Sequence, residues 1–261
     1  MDKTSNQKNL PAKNPKSAMI ACIVITILVI ALYFVPYGWY ALYPFMLIYT
    51  FIHESGHGIA GEMVGGDFKQ FEMWSDGSGV ATTMIPEGTG HLAKAFIAFG
   101  GLIAPAIMAA VFLLLGRSGR ASRVGMVLFM LTCAAAIIFK VPFTNPFGIA
   151  FIGACGLVSG AIAFVPKSNK VPQYSMLVLA ITLLTAVFSR GDYLFTPSAH
   201  TAQGVAPSDV GQIADNLFLP YWFWGGLIAA LSVLILILGI KGFFYSKSIS
   251  GEPAKKQIPE E

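Results

Sequence analysis

Residues His53-Glu54-Ser55-Gly56-His57 form an H-E-x-x-H pattern inside an apolar stretch. Phe45-Met46-Leu47-Ile48-Tyr49 leads into it and Gly58-Ile59-Ala60-Gly61 continues it, so it reads as one helix. Residues four apart on a helix share a face, which lets both imidazoles grip one metal ion. Glu54 then stands beside the ion's open position, where its carboxylate can take a proton from water. A plainer account has both histidines satisfied by helix neighbours. It fits poorly, because two His and a Glu at lipid depth are costly without a task.

The elements that must position these groups are membrane helices. Hydrophobic residues make up 55% of the chain and charged ones 11%, against about 25% charged in a soluble domain; mean hydropathy is +0.67. Apolar segments at 18–35, 39–64, 92–115, 124–139, 147–165, 174–189 and 221–240 predict an all-α polytopic protein of the cell membrane with six to seven transmembrane segments. Residues 1–17 are expected to form a basic polar tail ahead of an uncleaved anchor, 18–243 a single membrane-embedded domain, and 244–261 a polar, disordered tail. The formal net charge of +4 sits mostly in tails and loops and reflects topology rather than nucleic-acid binding. No Walker loop or dinucleotide fingerprint is present, so no nucleotide partner is expected. Cys22, Cys133 and Cys155 have no ligand-like spacing and read as packing residues.

Basic clusters at the N-terminus, at Arg117/Arg120/Arg123, at Lys167/Lys170 and at the C-terminus should all lie in the cytoplasm. Three apolar segments separate the first two clusters, an odd number. One of those three is therefore expected not to cross fully. Segment 92–115, with Gly100-Gly101 and Pro105, and the motif segment are the ones expected to be broken or re-entrant.

Gly65-Gly66 should end the motif helix. In 67–85, Phe68, Phe71, Met73 and Trp74 mix with polar residues, Ser75-Asp76-Gly77-Ser78-Gly79 is turn chemistry, and Val80 to Ile85 is a strand candidate. A short β-hairpin is expected there: either an ordinary loop, or an edge onto which an extended peptide pairs. His91 reads as an interfacial residue. Glu62, nine positions after His53, is expected on the metal-facing side as a partner for a histidine.

HESGHGIAGEMVGG, then SDGSGV, then AFGGLIAPA, together resemble the compact B-type branch of the site-2 protease family of intramembrane zinc metallopeptidases. Ser208-Asp209 with Ile213-Ala214 and Pro220 is similar to a second element near the end of such chains. The resemblance implies a zinc ion (Zn2+) held by His53 and His57, with Glu54 as general base.

A catalytic zinc needs a third protein ligand. Family members take it from an Asp-Gly after an Asn-x-x-Pro; here Phe143-Thr144-Asn145-Pro146 has no such acid after it. Asp209 is the first choice, because it lies in the second family-like element. Yet Ser208 has the look of an N-cap, so Asp209 can equally be there for the helix dipole. Asp192 is a rival, and Asn145 ranks below both, as a weak ligand or a holder of substrate backbone. The resulting expectation is an intramembrane zinc metalloprotease acting on transmembrane segments of other proteins. The alternatives are a non-proteolytic scaffold or chaperone-like relative that keeps the metal site, and a transporter.

Overall fold

The computed structural model describes residues 15–189, 193–202 and 204–245. The two tails and Asp192 lie outside them. In chain order come α1 (Pro15–Leu32), α2 (Gly38–Met63), β1 (Asp67–Met73), β2 (Gly79–Met84), α3 (His91–Leu115), α4 (Gly119–Phe139), α5 (Pro146–Phe164) and α6 (Lys170–Ser189). A 3-10 turn (Tyr193–Phe195) then leads to β3 (Ser198–Thr201), β4 (Gly204–Pro207), α7 (Asp209–Asn216) and α8 (Tyr221–Tyr245). All seven apolar segments are helical. Five helices, α3, α4, α5, α6 and α8, are long and apolar enough to cross a membrane, and α1 adds the shorter apolar stretch Ile20–Leu32.

Neither α2 nor α3 is broken, contrary to the expectation from the polar residues of the first and from Gly100-Gly101 and Pro105 of the second. Pro44 and Pro105 sit inside continuous helices. The glycines serve close approach instead. A Cβ on Gly56 would stand 2.5 Å from the Gly100 carbonyl oxygen, and one on Gly100 would stand 2.4 Å from the Ala60 Cβ. Apolar helices in lipid gain little from hydrophobic burial against each other, so small residues that let backbones touch carry the association. Around this contact, Phe51 stacks on Phe71 at 5.6 Å and meets Phe129 at 6.5 Å, and Phe129 packs edge-on to Phe112. One core thus joins α2, α3, α4 and β1.

The β1–β2 hairpin is antiparallel, with an irregularity between Phe68 and Gln70. Its turn demands glycine: Gly77 has φ +88° and rests against the Met46 side chain. Helix α2 grips the turn from below, since Thr50 donates its hydroxyl to the Gly77 carbonyl at 2.8 Å and Tyr43 donates to the Ser75 carbonyl. Asp76 accepts from both the amide and the hydroxyl of Ser78, at 2.9 and 2.7 Å. Those bonds hold its carboxyl below the ordinary range.

Two residues near the α4–α5 corner bind the outer edge of β1. The Lys140 carbonyl accepts from the Phe71 amide at 2.9 Å. Its ammonium donates to the Phe68 carbonyl, lies 4.7 Å over the Phe68 ring and pairs with Glu62 at 3.2 Å. Glu62 is therefore spent on Lys140 and not on a histidine. The reason is helical phase: nine residues are about two and a half turns, which puts Glu62 opposite His53. Asn145 caps α5 by accepting from the Gly148 amide at 3.0 Å. The same side chain accepts from the Met73 amide at 3.3 Å and donates to the Met73 carbonyl at 2.9 Å. Asn145 thus holds backbone, but that of this chain's own strand, because β1 has amide groups that burial forbids leaving unpaired.

Asn145→Ala removes the cap and the side-chain partners of both Met73 backbone groups. Unfolding in detergent should show a loss of about 2–4 kcal/mol, whereas Asn145→Ser, which keeps a cap without burying a charge, should lose less.

Candidate metal centre

Helix α2 sets the first three groups. His53 and Glu54 are buried, at 7% and 5% exposure, and His57 follows one turn on. Because both histidines share a helix face, their Nε2 atoms lie 3.1 Å apart with the rings nearly perpendicular. Helix α3 seats the second ring. His57 Nδ1 is 2.9 Å from the Ile97 carbonyl oxygen, so it carries a proton and donates, which turns Nε2 toward His53 and Asp209. Gly101 makes the space: a Cβ there would stand 2.2 Å from His57 Nε2.

The fourth group arrives from far along the chain. Ser208 caps α7, its hydroxyl oxygen accepting from the Gly211 amide at 3.1 Å. Its own hydroxyl donates to the Thr196 carbonyl at 2.6 Å, which ties the start of α7 to the segment after the 3-10 turn. Asp209, 4% exposed, begins α7 and points back at the histidines. Its Oδ2 is 3.0 Å from His53 Nε2 and its Oδ1 is 3.3 Å from His57 Nε2. Burial acts to raise its carboxyl, but the facing imidazoles of His57 and His53 prevail and hold it below the usual range.

One ligand atom from each of the three residues can be chosen so that all lie within 4.8 Å of one another, the two Nε2 atoms being 3.1 Å apart and each facing its own Asp209 oxygen, which suits a tetrahedral ion. Ligands at about 2.0–2.2 Å from zinc are separated by roughly 3.3 Å along a tetrahedron's edge. Two nitrogens and one carboxylate oxygen are also a donor set that zinc accepts. His53, His57 and Asp209 are the one group of this kind among the described residues. Glu54 does not join that triangle. It lies under β2, where the Ala81 amide is directed at its carboxylate and a Cβ on Gly79 would stand 2.9 Å from its Oε1.

His91 lies elsewhere, its Nδ1 3.1 Å from the Asn216 side-chain oxygen, where it ties α3 to the end of α7. Several features of the site have no clear sequence signal. Tyr193 donates its hydroxyl to Asp209 Oδ2 at 3.2 Å. The β3–β4 hairpin, a second two-stranded sheet beyond the single one expected, reaches the first: the Ala202 amide donates to the Ser78 hydroxyl oxygen at 3.2 Å. Gly204, at φ +121°, marked a turn that could have betrayed it.

Gly101→Ala should unseat the His57 ring while leaving the helices in place. Metal analysis of purified protein should show lower metal content than in the wild type, and circular dichroism should show helix content unchanged.

A family model described as Peptidase M50B-like matches residues 20–239. No curated protein and no solved structure matches the chain.

Proposed function

The chain belongs to the Peptidase M50B-like family, within the site-2 protease family, and on that premise we propose that it is an intramembrane zinc metalloprotease. It is an integral membrane protein with several long apolar helices. The observation that carries the proposal is the meeting of His53, His57 and Asp209 at one point with a fourth buried group, Glu54, on the next position of the same helix.

In this reading His53 and His57 through Nε2, and Asp209 through a carboxylate oxygen, hold the ion. When bound, zinc supplies Lewis-acid polarisation of a peptide carbonyl and brings the pKa of water to about 7. Glu54 takes the proton from the attacking water at its carboxylate and returns it to the leaving amide nitrogen, so the peptide bond is exchanged for a carboxylate and an amine. The Ala81 amide steers the Glu54 carboxylate, and the Ile97 carbonyl keeps His57 in one tautomer.

We place the substrate, a transmembrane segment of another protein locally unwound into extended form, beside β2. The outer edge of β1 is taken by Lys140 and Asn145, whereas β2 lies against Glu54. The absence of an Asp-Gly element favours the non-proteolytic alternative, whereas Asp209 beside His53 and His57 supports the protease reading.

Glu54→Gln should retain zinc and lose cleavage of a transmembrane reporter, because an amide cannot accept the proton from water. His57→Ala should lose both. A Glu54→Gln protein cleaving at the wild-type rate would refute the mechanism.

A further inference from the structure

The two histidines are held differently. His57 has the Ile97 carbonyl for its Nδ1, as metal-binding histidines commonly do. His53 has no such orienter: its Nδ1 is buried and has no hydrogen-bond partner. Its ring is held by aromatic contacts instead, stacked on Tyr49 at 5.9 Å and edge-on to Tyr193 at 6.2 Å and 78°. The Tyr193 hydroxyl meanwhile donates to Asp209 Oδ2 at 3.2 Å, the same oxygen that lies 3.0 Å from His53 Nε2. One side chain thus touches both the ligand from α2 and the ligand from α7. The turn that carries it is braced from behind. The Leu194 carbonyl presses on α8 at Gly225, where a Cβ would stand 1.9 Å from its oxygen.

We propose that Tyr193 is a positioning residue of the metal centre, aiming the Asp209 carboxylate through its hydroxyl and fixing the His53 ring through its edge. The inference rests on the zinc reading above. Its hydroxyl satisfies one lone pair of a buried carboxylate and so restricts the rotation that would carry Oδ2 away from His53. Its ring does for His53 what a hydrogen bond does for His57. Neither part requires Tyr193 to touch substrate.

The test compares Tyr193→Phe and Tyr193→Leu with the wild-type full chain in detergent. Zinc affinity is read by competition with a chromophoric chelator, site geometry by the visible absorption of the cobalt(II)-loaded protein, and fold by circular dichroism of the metal-free protein. Tyr193→Phe, which keeps the ring, should bind zinc about 10–100-fold more weakly, with a changed cobalt spectrum and an unchanged helix content in the metal-free protein. Tyr193→Leu should bind more weakly still, because the edge against His53 is also gone. Wild-type affinity and spectrum in Tyr193→Phe, with the wild type binding zinc, would overturn the role of Tyr193 and leave the protease reading intact. Weaker binding with a wild-type cobalt spectrum, or with loss of helix in the metal-free protein, would make Tyr193 a structural residue and also overturn it. A wild-type chain that binds no zinc would overturn both readings together.

Discussion

A carboxylate taken out of water in an apolar bundle is the constraint around which this protein is arranged. Stripping an ion of water costs several kcal/mol unless nearby groups replace the lost hydration. Asp209 finds those groups in two imidazoles and a phenol. Glu54, a second buried carboxylate, finds a backbone amide of β2. A soluble enzyme can lend such groups solvent; here the chain must supply every partner itself. That need gives the β1–β2 hairpin a place in a mostly helical protein, since helices keep their amides to themselves and strands offer theirs sideways.

The second requirement is room. Imidazole rings projecting from α2 toward α3 would ordinarily push the helices apart. Gly56, Gly100 and Gly101 bring the backbones together while leaving one hollow for the His57 ring. Packing and site geometry therefore share the same atoms, and a methyl group added at Gly101 meets the ring before it meets any helix backbone. The hairpin side is bound with similar economy. Lys140 and Asn145 each satisfy two backbone positions of β1, so a short corner between α4 and α5 fixes the strand that backs the site.

The helices, the first hairpin and the histidine pair were legible because each rests on local pattern. Apolar runs, paired glycines after a helix and a four-residue spacing all report on neighbours in sequence. Asp209 was visible only as one of several acids, since its approach to α2 depends on how α3, α7 and α8 pack. Glu62 was misread through helical phase. Asn145 was seen as available to a metal or substrate when β1 needed it more. The glycine pair of α3 has the composition of a helix break, and only a facing helix reveals it as a contact. Tyr193 left no trace, because one aromatic beside a turn looks alike whether it faces lipid or a carboxylate.

Chain order adds a consequence in time. A membrane protein is threaded into the bilayer from its N-terminus while the ribosome is still working, and its parts assemble as they appear. His53, Glu54 and His57 enter with the second helix, yet the carboxylate that completes their cluster lies beyond six helices, at the head of α7. Until that residue has been made, the two imidazoles sit in a half-built bundle without their counter-charge. The centre thus closes only after α3 to α6 have been made, and until then its reactive groups stay apart.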